Sequence, residues 1–415
     1  MTKKKVLNII FIILFLGLIL FHIILLILGR AWIFTTLSFY AGLLLLLFLS
    51  YKRFRRKKPQ GKALKIIYVL LVTVFVFFVA DIILRVSGKF SSYSEKNYSL
   101  FYVSPYNDNF SLLRRKIFYG EKNPLPFIAS PGKEYKFKTT EFEFIHKYNS
   151  LGLREKEFTD ELLTGREIIL CIGDSFTEGV GAEYENSWPQ VLERKLRDRE
   201  EYDFVVINAG ISGSDPIKYV YAYNYLNNYI NPDYIIISIG SNDLLDIIFK
   251  GGIERYEKDN FYQWNVPKGH YLYSWNFVFR AICNLIYDYP EIYCNEKEFR
   301  VKLSFACGEI IRAIHKISTE FLDKKIVLFI YPDQQEAKTL KYRYEEMNLI
   351  KQEFINDETF IVVDQISFYK KHPDKKQLIP KIYHNIDGHC NSKGYNLWGE
   401  YLFDIFDEQL GKNKI

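Results

Sequence analysis

The stretch IILCIGDSFTEGV, residues 168–180, decides how this chain is read. An apolar run stops at Gly173-Asp174-Ser175 and gives way to Phe176-Thr177-Glu178-Gly179. Gly, Asp and Ser favour a strand-to-helix turn for local backbone reasons. The same arrangement displays a small hydroxyl, Ser175, where a strand ends and a helix starts, which suits an activated nucleophile. The choice between the two readings depends on what the rest of the chain brings to that point.

Downstream, the rhythm is one of strands alternating with helices. Near-continuous apolar runs at 167–173, 203–210, 234–240, 325–332 and 360–365 predict strands buried on both faces, as in a parallel sheet. Helix patterns lie between them, among them SWPQVLERKLRD and DPIKYVYAYNYLNNYI, and SKGYNLWGEYLFDIFDEQL follows the last strand. Five strands in this alternation predict a doubly wound α/β domain with its ligand crevice at the carboxyl ends of the strands. No internal repeat or low-complexity tract interrupts it.

Each of the first three strands ends in a polar group: Gly173-Asp174-Ser175, Asn208-Ala209-Gly210 and Gly240-Ser241-Asn242-Asp243. Asn385-Ile386-Asp387-Gly388-His389 precedes the final helix. In a parallel sheet all four groups meet at one edge. Acyl transfer needs a nucleophile, a base, a group that orients the base, and donors for the oxyanion. Ser175 supplies the hydroxyl at a helix start, Gly210 an unobstructed backbone N–H, and Asn242 an amide donor. His389 is the candidate base and Asp387 the candidate orienting group. Each has a structural alternative. Ser175, Asn242 or Asp243 would cap a helix, Gly210 would serve a turn, and Asp174 shapes the turn rather than reacting. His315, at helical spacing among Ile311, Ile314 and Ile317, reads as structural.

The blocks GDSFTEG, INAG and GSND resemble, in order, the first three motifs of the SGNH hydrolases, also called the GDSL-like esterase superfamily. The resemblance covers roughly residues 166–410. It implies a flavodoxin-like three-layer α/β/α sandwich with a parallel sheet and with neither cofactor nor metal. It also implies an oxyanion hole of Ser175 N–H, Gly210 N–H and the Asn242 side chain. The lead-in Tyr148-Asn149-Ser150-Leu151-Gly152-Leu153-Arg154 looks like the stretch before the first block in membrane-attached bacterial members. One departure stands out. The usual fourth block is Asp-x-x-His, and here Asp387-Gly388-His389 is one residue shorter, a spacing similar to that of exopolysaccharide O-acetyltransferases. His384, three residues before Asp387, is the rival base.

The N-terminal part has a different character. The formal net charge of the 415-residue chain is +6, but much of the excess sits in MTKKK and in YKRFRRKKPQGK at 51–62, beside long apolar stretches. That placement argues against a nucleic-acid partner and for the cytoplasmic side of a membrane. Val6–Leu28, Ala31–Ser50 and, less strongly, Leu64–Val86 read as transmembrane helices. The charges place the N-terminus inside and everything after about residue 88 on the extracytoplasmic side of the cytoplasmic membrane. The predicted organisation is a membrane anchor over 1–88, a β-rich lead-in over 89–165 and the hydrolase-like domain over 166–415. His146, in the lead-in, reads as a surface histidine. Cys283 and Cys294 have a spacing that a short disulfide loop would allow, and Cys171 reads as core. The aromatic stretch 249–296 reads as a lid over the crevice or as a packed insertion.

The function expected from these readings is a membrane-anchored extracytoplasmic serine esterase acting on an acyl ester, with acetyl the favoured group. Its partners are an acylated carbohydrate or other ester, the lipid bilayer and a membrane acyl donor. Two alternatives stay open: an O-acetyltransferase modifying a cell-envelope or exported polysaccharide, and a non-catalytic binding subunit that keeps the fold.

Overall fold

The computed structural model describes residues 42, 61–87, 132, 134–199, 202–257, 277–289, 292–321 and 324–413. The chain divides into two compact units, one of residues 1–103 with 267–296 and one of residues 104–266 with 297–415. The elements that concern the site belong to the second.

That unit opens with an antiparallel hairpin, β1 (Glu134–Lys138) and β2 (Glu143–Lys147), in register from Glu134↔Lys147 to Lys138↔Glu143. The turn is tied by Thr139, whose Oγ1 accepts the N–H groups of Glu141 and Phe142 at 3.1 and 3.2 Å. Alternation along β2 turns His146 inward. It is fully buried, with Nδ1 3.4 Å from both Tyr148 Oη and Glu178 Oε1. The expected surface histidine is therefore a core residue. Burial, together with the nearby Arg154 charge, holds its imidazole below the ordinary value.

The apolar runs form β3 (Glu167–Gly173), β4 (Phe204–Gly210), β5 (Tyr234–Ile239), β6 (Lys325–Ile330) and β7 (Phe360–Asp364). All pair in parallel, in the order β4-β3-β5-β6-β7. This is the flavodoxin-like arrangement, with its switch point at β3, where one neighbour came next in sequence and the other arrived by crossing over. The register pairs Gly173 with Gly210 and Ile172 with Ile237, so the polar ends of β3, β4 and β5 lie side by side.

Parallel strands need cover on both faces, which explains why they read as unbroken apolar runs. On one face Ile169, Cys171, Val206, Ile236 and Phe329 join a core with Trp188, Leu192, Trp398 and Leu402 from the helices Trp188–Arg197 and Ser392–Asn413. On the other face the helix Pro216–Leu226 packs on β3. Trp398 is fully buried and donates from Nε1 to Tyr369 Oη at 2.7 Å. Cutting such a side chain back to alanine costs about 3–5 kcal/mol.

The expected localisation is corrected. Among the described residues no helix is long and apolar enough to cross a membrane. The third predicted span falls in the helix Gly61–Ser87. Lys65 and Asp81 confine its uncharged run to Ile66–Ala80, short of the roughly twenty residues a crossing needs. The multi-pass placement, the extracytoplasmic side and the bilayer and membrane acyl-donor partners all rested on such spans. The first two predicted spans lie outside the described residues, Gly42 apart, as does the aromatic segment 258–276. All five cysteines are buried and none is in a disulfide, so Cys283 and Cys294 form no bridge.

Candidate active site

Ser175 begins a single helical turn, Ser175–Glu178, that stops at Gly179. The turn is much shorter than the helix expected there, so little macrodipole builds up behind it. Its start is held by Asp174, whose Oδ1 accepts the Phe176 N–H at 2.9 Å. Ser175 N–H is one of the first-turn donors that a helix leaves without an internal acceptor.

Across the crevice, His389 Nε2 lies 2.7 Å from Ser175 Oγ. The other ring nitrogen, Nδ1, lies 2.5 Å from Asp387 Oδ1, and that oxygen also accepts the His389 backbone N–H at 3.2 Å. Asp387 is buried and Phe176 packs against the imidazole at 4.6 Å between centroids. Burial works against a charged imidazole, but the Asp387 carboxylate, together with Asp174 and Glu178, outweighs it and holds His389 above its ordinary value. Gly388, at φ 87°, lets carboxylate and ring face each other with one residue between them. The missing residue of the fourth block therefore does not break the series. His384, the rival base, is turned elsewhere and donates from Nε2 to Gly181 O at 2.8 Å.

The donors opposite are arranged differently from expectation. Asn242 lies in the first turn of the helix Ser241–Lys250, whose start is bonded instead by Asp243, Oδ2 accepting the Gly240 N–H at 2.8 Å. The Asn242 amide is fixed at both ends: Oδ1 accepts from Tyr331 Oη at 3.2 Å and Nδ2 donates to Asp174 Oδ2 at 2.7 Å. One Nδ2 hydrogen remains for a ligand. Gly210 does not offer its N–H. Asn208 Oδ1 accepts it at 2.9 Å, and a Cβ at Gly210 would come within 2.1 Å of Glu178 N, so the glycine serves close backbone packing. The turn that follows wraps the end of β3, with Ile211 N–H and Ser214 Oγ both donating to Gly173 O at 3.0 Å. Ser212 N–H is also taken, by Glu178 Oε2 at 2.8 Å. Gly213, at φ 72°, is left as the backbone donor of this turn.

Residues that sequence reasoning passed over brace the site from beneath. Glu178 is buried and accepts from Tyr148 Oη at 2.7 Å as well as from Ser212. Arg154, also buried, donates from Nη1 to Glu178 O and Gly179 O and from Nη2 to Ala182 O, at 2.9–3.1 Å. Arg154 therefore closes the carbonyl end of the turn that carries Ser175. Next to it, Glu155 Oε2 accepts the Asn208 N–H at 2.7 Å. Burial pushes the Glu155 carboxyl up to about 7, against the pull of Tyr184 and Asn208. Among the described residues no group of His, Cys, Asp and Glu is placed to hold a metal ion. His315 lies on the helix Glu296–Glu320, with Nε2 3.3 Å from Glu353 Oε1, away from these groups.

A hydroxyl, an imidazole and a carboxylate bonded in series at the carboxyl edge of a doubly wound sheet define the serine-hydrolase class of α/β protein. Within that class the chain belongs to the GDSL-like lipase/acylhydrolase family, which it matches over residues 171–397. This is the superfamily whose first three motifs the blocks GDSFTEG, INAG and GSND resemble. Esterase TesA of Pseudomonas aeruginosa is 31% identical over 77 residues, which are 19% of this chain and 38% of that protein. An uncharacterized protein of Mycoplasma pneumoniae is 42% identical over 77 residues, 18% of this chain and 9% of its own. The chain thus matches well under half the length of either relative. The crystal structure of TesA aligns with a TM-score of 0.36 at 15% identity, over 57% of this chain and 97% of that one.

Proposed function

We propose that the chain is a serine esterase that removes an acetyl group from a hydroxylated carrier, with Ser175 as nucleophile, His389 as general base and Asp387 as its orienting group. The observation that carries this reading is the continuous series Ser175 Oγ, His389 Nε2 at 2.7 Å, and His389 Nδ1 to Asp387 Oδ1 at 2.5 Å. Ser175 Oγ attacks the ester carbonyl carbon as its proton passes to His389 Nε2. The bond to the carrier oxygen then breaks, and the imidazolium protonates that oxygen. Water, deprotonated by the same ring, adds to the acyl-serine, and acetate leaves with Ser175 restored. Donors for the oxyanion are Ser175 N–H, the remaining Asn242 amide hydrogen and the Gly213 N–H, which takes the part expected of Gly210. Acetyl as the group removed is supported by the short Asp387-Gly388-His389 spacing, which resembles that of acetyl-handling members.

The test is labelling by a serine-reactive phosphonate, together with release of acetate from an acetylated glycan. Wild type is expected to be labelled and to release acetate. Ser175→Ala is expected to do neither. Equal labelling of the two proteins removes Ser175 as the nucleophile, and acetylated glycan formed in place of acetate replaces hydrolysis by transfer.

A further inference from the structure

The loop that carries Asp387 and His389 is not held by the sheet alone. Glu141, at the tip of the β1–β2 hairpin, reaches it from a point 244 residues earlier in the chain. Its Oε1 accepts the Asn385 N–H at 2.8 Å, and its Oε2 accepts the Ile386 and Asp387 N–H groups at 2.8 and 2.7 Å. Three successive backbone donors thus converge on one carboxylate, a nest of the kind that binds anions. Bonds to a charged acceptor are roughly twice as strong as neutral ones, so this is a firm anchor even near the surface.

The tip is itself rigid. Thr139 Oγ1 bonds Glu141 N–H and Phe142 N–H, and Thr139 N–H donates to Phe142 O at 2.9 Å. Phe142 then packs on His384 at 4.6 Å between centroids. His384 is tied in turn by His389 O, which accepts its N–H at 2.8 Å, and by Gln334 Nε2, which donates to His384 O at 2.9 Å. Two neighbouring tip residues therefore clamp the segment 384–387 at both ends. The third N–H of the nest belongs to Asp387, whose carboxylate faces the imidazole.

We propose that Glu141 is a positioning residue for the ester-hydrolysing site, holding the main chain of 385–387 so that Asp387 and His389 stay in line with Ser175. This rests on the reading of Ser175, His389 and Asp387 given above. No substrate contact is assigned to Glu141. Its effect passes through the loop, and a loop misplaced by about 1 Å costs on the order of 100-fold in rate.

The full chain is assayed on p-nitrophenyl acetate as wild type, Glu141→Ala, Glu141→Gln, Ser175→Ala, His389→Ala and the double variant Glu141→Ala/His389→Ala. Circular dichroism checks each fold. Glu141→Ala is expected to lower kcat about 10- to 100-fold while KM stays within about a factor of two. Glu141→Gln keeps one accepting oxygen and is expected to fall between. In the His389→Ala background Glu141→Ala is expected to change nothing further, because the group it positions is gone. The proposal is overturned by a wild-type kcat in both Glu141 variants, or by the same fold-loss with and without His389. Should Glu141→Ala fail to fold, the kcat of Glu141→Gln decides alone. A wild-type kcat in Ser175→Ala would remove the esterase reading itself. An inactive Ser175→Ala beside an unimpaired Glu141→Ala removes only the role of Glu141.

Discussion

Ser175 Oγ and His389 Nε2 lie 2.7 Å apart although 214 residues separate them in the chain. Asp387 favours the charged imidazole and, helped by Asp174 and Glu178, holds His389 above its ordinary value of 6.5 in spite of burial. A base must be neutral to take a proton, so kcat/KM should fall on acidification along a limb centred above 6.5. Asp387→Asn is expected to lower kcat on the order of 10⁴-fold and to move that limb to lower pH. Asp174 and Glu178 also favour the charged ring, so they should offset part of the fall that burial then causes. A limb that stays in place in Asp387→Asn would mean that another group titrates.

Gly388 offers a cleaner probe of how the short Asp-x-His spacing works. A Cβ there would meet no atom within 4 Å, so Gly388→Ala introduces no clash, yet φ is 87°. The expected cost is strain of about 1–2 kcal/mol, relieved by turning the peptide toward negative φ. That turn moves His389 away from Asp387. Gly388→Ala should therefore lose kcat by at least 10-fold with only a small fall in Tm. A variant with wild-type kcat would show that the spacing tolerates another turn.

How far the sequence disclosed this site can be judged residue by residue. The strands were legible because both faces of a parallel sheet are buried, which leaves Ile168 to Ile172 uniformly apolar. Ser175, Asn242, Asp387 and His389 were legible because each sits in a short block at a strand or loop end. Gly210 misled because the acceptor of its N–H, Asn208, lies two residues back in the same strand, and only the geometry of β4 reveals that bond. His146 was recoverable in principle, since it shares its face of β2 with Phe144. Glu141 carried no signal, because a carboxylate in a hairpin turn reads as solvated until the partner loop is folded against it. The Gly61–Ser87 helix misled for the opposite reason: its apolar run outweighed Lys65 and Asp81, which are as plain in the sequence as in the fold.

The Asn242 amide separates binding of the oxyanion from generation of the nucleophile. Its orientation is set by Tyr331 and Asp174, neither of which touches His389 in the hydrogen-bond series. Asn242→Ala is expected to lower kcat about 10²- to 10³-fold, as loss of a single oxyanion donor does, with little change in the pH limb. Tyr331→Phe frees Oδ1 while Asp174 still holds Nδ2, and should cost much less than Asn242→Ala. Equal losses in the two variants would transfer the importance from the amide to the tyrosine.

Glu155 gives the fold a pH dependence that can be read apart from catalysis. Its carboxyl, bonded to Asn208 N–H, is raised from 4.5 to about 7, chiefly by burial. A raised folded-state value means the folded protein holds that proton more tightly than the unfolded chain does. The resulting stabilisation is complete below about 4.5 and is lost as pH rises through about 7. Glutamine cannot titrate, and its Oε1 still accepts the Asn208 N–H. The Tm of Glu155→Gln minus that of wild type should therefore shift in favour of the variant between pH 5 and pH 8. Taking the difference cancels the contributions of His146 and His389, whose imidazoles are shifted in opposite directions. A difference that stays flat across the range would show that Glu155 is already charged in the folded protein at pH 5, with the β4 end and its Asn208 built around a carboxylate rather than an acid.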